Sequence, residues 1–380
     1  MLQDGLNGKA GIFLLAGHSY SNVKEFILKN YHKEQLSKII TDFLKINGAY
    51  GEGGGQIIRS AIILSCITKQ PIHIENIRKN RKVPGIRPQH LTAIIILQKI
   101  SNAKVIGAEI GSTELKFIPN GVESLELVED VGTAGSISLI LQVLIPVVAI
   151  SQKRLNLTIK GGTDVLWSPT IDYTQHVLRE AYSRMGIKFS LRLIKRGYYP
   201  KGLGEVCLQV YPSHLVSTSF TKRTTNDVKL ICTFSKISEE KINNQIVEIK
   251  KELTSRNFVV EAEIKNQEAI DAGASLLIYS IDENSIVGID SLFDKKTQRF
   301  DIKFDKFVNS LTIDDNLADM LVVPASLGDG KTKFQVREIT KHLETNLFVT
   351  SKITGCKYGI GKIDDGFEII IEGISDSSIK

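Results

Sequence analysis

The 380-residue sequence contains no uninterrupted apolar run of the roughly eighteen residues that a membrane-spanning helix requires. Its N-terminal apolar stretch, Ala10 to Gly17, is too short and too poorly flanked for a secretory signal. Cysteine is sparse: Cys66, Cys207, Cys232 and Cys356 are scattered, with no CxxC or other metal-ligand spacing. A disulfide scaffold and a cysteine metal site are therefore excluded, and a reducing, cytoplasmic setting is expected. Nucleotide-binding signatures of the common kinds are missing too. No GK[ST] follows the glycine-rich loop, and its glycines are not at G-x-G-x-x-G spacing. A net charge of +6 permits nucleic-acid binding without establishing it. With 42% apolar residues the chain is an ordinary globular protein, long enough for two domains.

What the sequence does have is concentrated between Gly48 and His90. GAYGEGGGQIIRSA is followed, after a short strand, by ENIRKNRKVPGIRPQHL. Gly51, Gly53, Gly54 and Gly55 allow close approach of a ligand to the backbone. The apolar helix expected over Ile57 to Ile67 would aim its positive end at them. Glu52 is out of place in an anion-binding loop unless a cation offsets it, so it is expected to ligate a divalent metal. The bland alternative is a tight strand-to-helix turn with an exposed glutamate. Arg59 falls one helical turn past the loop, and Arg78, Arg81 and Arg87 cluster after the strand Pro71–Ile77. Guanidinium forks bind phosphate oxygens in pairs, although such a cluster also suits a solvated loop.

The chain also repeats itself. A loop, an apolar helix, a strand, a second helix and two strands run from Gly48, and recur from GTAGS (Gly132–Ser136) with its helix Ile137 to Ile150 and a second helix over about Thr170 to Met185. A third unit has the helix LADMLVVPASLG, the strand KFQVREI and a second helix beginning near His342. Each unit reads β-α-β-α-β-β, an α/β (α+β) pattern. The repeat alignment sets His342 where His90 stands, so two histidines start equivalent helices that could converge on one site. The expected domains are an N-terminal extension (1–43), repeats one and two (44–212), an inserted small α/β domain (213–310) and repeat three (311–380). The insertion's helix is expected from Ile242, Ile246, Ile249 and Leu253 at helical spacing. Leu36, Ile39, Ile40, Phe43 and Leu44 predict a further helical stripe in the extension. The other histidines (His18, His32, His73, His176 and His214) have no ligand spacing and are expected to be structural or exposed.

GAYGEGGGQIIRSA, ENIRKNRKVPGIRPQHL, GTAGS, KGGTD, RGYYPKG, LAD and HLETN, in this order, closely resemble the RNA 3'-terminal phosphate cyclase family from Leu44 onward. The resemblance implies three β-α-β-α-β-β repeats with an inserted thioredoxin-like domain. It implies ATP as co-substrate, a divalent metal (Mg²⁺ or Mn²⁺), RNA with a 3'-phosphate end as partner, and no membrane; a homodimer is compatible with it. His342 matches the family's nucleophile, which becomes a histidine–AMP adduct before the RNA end is activated and closed to a 2',3'-cyclic phosphate. Glu52 matches the metal ligand. Arg59, Arg78, Arg81, Gln89 and His90 match the phosphate and RNA-end contacts. Gln142, Pro169, Asn316, Leu317, Ala318, Asp319 and Met320 match the nucleotide pocket. Gln142, a lone amide among Leu141, Val143 and Leu144, suits a pocket wall or a satisfied core position. The chain departs from the family pattern at Asn316, where an aromatic residue or His is common, at Met320, where Gln is, and at Leu203-Gly204, where two glycines are. The resemblance also admits two relatives without this chemistry, a non-catalytic cyclase-like factor of ribosome biogenesis and the enolpyruvyl transferases. His342 speaks against the first, and RPQHL and HLETN against the second.

Overall fold

A computed structural model describes residues 42–374. Leu44–Asn47 (β1) and Ile72–Glu75 (β2) pair in parallel, with Leu44 opposite Ile72. Parallel neighbours need a crossover, and Gly55–Thr68 (α1) supplies it. Pro88–Ser101 (α2) then leads to Lys104–Ile106 (β3) and Leu115–Ile118 (β4), completing a sheet of order β1-β2-β4-β3. Gly107, whose φ of +84° turns the chain away, ends β3.

The second unit repeats this order. Leu125–Asp130 (β5), Ile137–Ile150 (α3), Leu155–Gly161 (β6), Lys188–Lys195 (β7) and Gly204–Tyr211 (β8) give a sheet β5-β6-β8-β7. Its second helix, α4, runs as Ile171–Tyr173, a π-helical stretch Thr174–Leu178 and Arg179–Arg184.

The third unit contains Asp315–Leu327 (α7, numbered after the insertion's helices), Lys331–Val336 (β14), Lys341–Thr354 (α8), Lys357–Ile363 (β15) and Gly366–Glu372 (β16). Its sheet, β14-β16-β15, has three strands. The opening position is occupied from elsewhere in the chain. Val216 bridges Asp329 and Ser219 bridges Lys333, both in parallel. The Phe220 N–H donates to the Lys333 carbonyl at 2.8 Å, and the Lys333 N–H to that of Thr218 at 2.9 Å. Sequence alone starts the insertion at 213, but this pairing keeps Val216–Phe220 with the third unit, because β14 needs a partner on that edge.

The insertion consists of Asp227–Ser235 (β9), Glu239–Ser255 (α5), Val259–Asn266 (β10), Gly273–Ile281 (β11), Ile286–Asp294 (β12), Arg299–Phe300 (β13) and Phe304–Asn309 (α6), in strand order β10-β9-β11-β12-β13. Its central strands are apolar on both faces, and the two faces go to different cores. Leu230, Cys232, Leu276 and Ile278 pack with Ile242, Ile246, Ile249 and Leu253 of α5. The intervening Ile231, Leu277 and Tyr279 join the large core of the repeats. Period-two alternation thus holds the insertion against the large part. A buried ion cluster reinforces the contact: Arg196 donates to both oxygens of Asp164 (3.2 and 3.0 Å) and of Asp172 (both 2.7 Å), and to Gln267 Oε1 and Ser275 Oγ in the insertion.

In the large core α1 contacts α2, α3 and α8, and α8 also contacts α7. Eleven residues of α1 are buried, from Gln56 to Ile67. A helix apolar on all sides is stable only when surrounded, and here it is. Cys66, Cys232 and Cys356 are buried thiols and Cys207 is half-buried, all free. Burial pushes the Cys66 thiol up to about 12. His73 lies between Glu75 and Glu114, and His176 stacks on Tyr279, both structural positions. Leu36, Ile39, Ile40, His18, His32 and Ala10 to Gly17 lie outside the described residues. Leu44, expected on a helical stripe, begins β1 instead, because its neighbour across the sheet is Ile72.

Candidate active site

The glycine loop is pinned to the start of α8. Gly51 has a φ of +53°, the left-handed region that favours glycine, and a side chain there would collide with Thr345. The Glu52 N–H donates to Thr345 Oγ1 at 3.1 Å, and that hydroxyl donates to the Lys341 carbonyl at 2.6 Å. One turn further along α8, Phe348 stacks on Tyr50 with ring centroids 4.0 Å apart. These contacts set the register between loop and helix. As a result His342 Nε2 lies 3.8 Å from Glu52 Oε1. That is too long for a hydrogen bond, so His342 Nε2 does not donate a proton to this carboxylate.

Thr340 caps α8, its Oγ1 accepting the Leu343 N–H at 3.1 Å, which places the half-exposed His342 on the first helical turn. Behind it a polar ladder joins three helices. Ser60 Oγ of α1 donates to Asn346 Oδ1 of α8 at 2.6 Å, and Asn346 Nδ2 donates to the Asp319 carbonyl of α7 at 2.7 Å. The Asp319 carboxyl is raised above its ordinary range by burial, against the pull of His342 and Arg59, and its Oδ1 is buried without a hydrogen-bond partner.

Around the loop the cations gather. Arg59 donates to Gln56 Oε1; burial lowers its guanidinium to about 10, Asp319 opposes the shift and Arg78 adds to it. It therefore remains charged at neutral pH. His90 is buried, and burial together with Arg59, Arg78 and Arg87 pushes it down to about 3. Its Nδ1 accepts the Arg87 N–H at 3.3 Å, which assigns the proton of the neutral ring to Nε2. Nε2 faces Gly55, where any side chain would collide with it. His90 is thus a neutral N–H donor beside the uncapped N-terminus of α1, the position in which a phosphate oxygen would be met. Arg78 is held in the left-handed region (φ +53°), donates to the Val83 carbonyl at 3.3 Å and keeps a buried Nε without a partner. Arg81 forms an ion pair with Glu52. A guanidinium therefore stands beside the Glu52 carboxylate.

A cleft of about 560 Å³ opens on the other side of His342, between the repeats and the insertion. Arg59, Gln142 and Pro169 line it, and so do Asn316, Asp319, Met320 and His342. Gln142 Nε2 donates to Met320 Sδ at 3.5 Å, so the thioether is a weak acceptor for that amide. Leu317 and Ala318, expected beside them, have side chains fully buried in the core, because they occupy the inner face of α7. Glu52, Arg78, Arg81 and His90 surround the glycine loop instead, and Gln89 is half-buried on the first turn of α2, beside Gly135 of the second unit. Arg59 and His342 link the two groups.

Sequence reasoning missed the insertion's share of this cleft. Asp290, Asp301, Lys303, Lys306 and Phe307 come from it. Asp290 accepts the Thr170 N–H at 2.6 Å, and burial raises its carboxyl to about 6. Asp314 is similarly raised to about 6; it caps α7 through the Asn316 and Leu317 N–H groups and also accepts from Tyr173 Oη and the Gly288 N–H. An aspartate just before an apolar helix was the available signal for Asp314. Nothing local marked the others, which reach the cleft only through the packing of two domains.

The RNA 3'-terminal phosphate cyclase family model matches residues 50–360. The chain belongs to that family. Its relatives named RNA 3'-terminal phosphate cyclase include one from Methanococcoides burtonii, 36% identical over 332 residues that cover 87% of this chain and 100% of the relative. One from Pyrococcus furiosus is 36% identical, covering 83% and 96%, and one from Pyrobaculum aerophilum is 32% identical, covering 87% and 98%. The enolpyruvyl transferase NikO of Streptomyces tendae reaches a TM-score of 0.39 at 10% identity, covering 89% of this chain and 49% of that one, too low to assign a shared fold. No helix among the described residues is long and apolar enough to cross a membrane.

Among the described residues no group of three or more His, Cys, Asp or Glu side chains is placed to hold a metal ion. Glu52 does offer a buried Oε2 without a hydrogen-bond partner. That fits a hard divalent cation of the Mg²⁺ kind, which takes one or two protein carboxylates and completes its shell with phosphate oxygens and water.

Proposed function

We propose that this chain is an ATP-dependent RNA 3'-terminal phosphate cyclase in which His342 is the nucleophile. The observation that carries the reading is the position of His342. It stands between a cleft of nucleotide size and a cluster of phosphate-binding groups, with Glu52 Oε1 3.8 Å from its Nε2. Family membership and the names of the relatives support the same reaction.

The chemistry follows from the groups present. The Nε2 lone pair attacks the α-phosphorus of ATP; an N–P bond forms, the bond to the bridging oxygen breaks, and pyrophosphate leaves. Arg59, charged and facing the cleft, offsets negative charge on the α-phosphate. The buried Asp319 carboxyl, electrostatically coupled to His342, favours the positive charge that the substituted ring acquires. An oxygen of the RNA 3'-phosphate then takes the adenylyl group, breaking the N–P bond. Finally the 2'-hydroxyl oxygen attacks the activated 3'-phosphorus, its proton passes to solvent and AMP leaves, closing the 2',3'-cyclic phosphodiester. Arg78, Arg81 and the Nε2–H of His90 hold the RNA 3'-phosphate through these last two steps. A divalent cation at Glu52 would supply further charge neutralisation on the phosphates.

The test is incubation of an RNA carrying a labelled 3'-phosphate with the protein, ATP and Mg²⁺ or Mn²⁺. Conversion of the label to a phosphatase-resistant end that acid reopens is expected, and only with ATP. An unchanged, phosphatase-sensitive end would contradict the proposal.

A further inference from the structure

Trp167 is the only tryptophan in the chain, and 95% of its surface is exposed. Its backbone has a φ of +61°, a conformation that bulky residues rarely adopt unless the surroundings impose it. The surroundings do. The turn is closed by Ser168 Oγ donating to the Val165 carbonyl at 2.9 Å. It is anchored on one side by Asp164 in the buried Arg196 cluster and on the other by the Thr170 N–H on Asp290 at 2.6 Å. A short, anchored turn therefore holds a large flat ring out into solvent, on the rim of the cleft that contains His342, Asp319 and Pro169.

The charge of the cleft selects what that ring meets. Asp290, Asp301, Asp314, Asp315 and Asp319 line it, against Arg59, Lys303 and Lys306. Such a wall disfavours phosphate, whether of an RNA strand or of ATP, for which Arg59 and the cations around the glycine loop are the better surface. It suits an uncharged heterocycle with amino donors. Asn316, which also lines the cleft, brings no ring of its own.

We infer that Trp167 is the stacking platform for the adenine ring of the nucleotide. This assignment rests on the nucleotide-dependent function proposed above. An indole already fixed in place and exposed gains contact and loses little freedom when a base covers it, and stacking is effective on any heterocycle.

Because Trp167 is the sole tryptophan, its own emission reports on the contact. AMP added to the full chain should change that emission, whereas ribose 5-phosphate should leave it unaltered. By calorimetry, Trp167→Ala should weaken AMP binding about 5- to 150-fold and Trp167→Phe less than about 5-fold. AMP binding with unchanged emission and wild-type affinity in Trp167→Ala overturns the assignment while leaving the nucleotide site standing. No heat of AMP binding in the wild type removes the nucleotide reading and this assignment together. Emission that responds to an RNA 3'-phosphate oligonucleotide but not to AMP places an RNA base on the indole instead and contradicts the inference.

Discussion

His342 Nε2 and Glu52 Oε1 stand 3.8 Å apart although they come from opposite ends of the described chain. Thr345 is the residue that makes this so, since its hydroxyl holds the Glu52 N–H at 3.1 Å three positions after His342. The glycine loop and the first turn of α8 therefore behave as one unit.

Gly51→Ala tests that unit. The new methyl group meets Thr345 and forces an alanine into the left-handed region, costing about 1–2 kcal/mol. The expected result is a modest loss in urea unfolding together with a drop in cyclase activity of at least about tenfold, which a 1.4 kcal/mol rise in barrier already produces. Full activity would show that the register between loop and helix is unimportant.

Arg81 and Glu52 neutralise each other, so their removal should have opposite effects on anion binding. Arg81→Ala is expected to weaken RNA ending in a 3'-phosphate much more than RNA ending in a 3'-hydroxyl, and Glu52→Gln to strengthen phosphate binding without metal while abolishing the metal response of turnover. Equal weakening of both RNA ends by Arg81→Ala would reduce the arginine to a general backbone contact.

His90 supplies a pH signature. Its folded value of about 3 lies below the ordinary 6.5, so the unfolded chain takes up a proton that the folded protein refuses. Its contribution to stability is therefore complete above pH 6.5 and declines as the pH falls toward 3. Asp290 and Asp314, raised to about 6, oppose this, because below that value the folded state holds the extra protons. Comparing wild type with His90→Asn isolates the histidine: the destabilisation measured at pH 7.5 should shrink by about 2 kcal/mol at pH 5. A pH-independent difference would mean that His90 is charged or solvated in the folded protein.

Arg196→Ala leaves Asp164 and Asp172 buried without their cation. A loss of about 3–5 kcal/mol in chemical unfolding is expected, larger than any surface charge in the chain would give. A loss below about 1 kcal/mol would show that the cluster does not hold the insertion to the repeats.

Much of this architecture was legible in the sequence because it is locally encoded. The apolar run of Ile137 to Ile150 specifies a buried helix by its length, and the stripe Ile242, Ile246, Ile249 and Leu253 specifies one by its period. The glycines and the Arg–His cluster are contiguous, and the order of motifs identified the family. The misses share a different cause. The edge partner of β14 comes from Val216–Phe220, on the far side of an insertion, and no local pattern records such a pairing. Asp290, Lys303 and Lys306 enter the cleft only because the insertion's sheet divides its two faces between two cores. Leu317 and Ala318 fit the family motif by position, yet helical geometry turns their side chains inward while Asn316, Asp319 and Met320 reach the cleft.

The proposed reaction depends above all on His342 forming a bond to the α-phosphate of ATP. Protein incubated with α-labelled ATP and a divalent metal should yield an acid-labile, alkali-stable protein–AMP adduct that releases AMP when an RNA 3'-phosphate is added, and His342→Ala should form none. An adduct of undiminished yield in His342→Ala, or cyclisation by that variant at the wild-type rate, would contradict it.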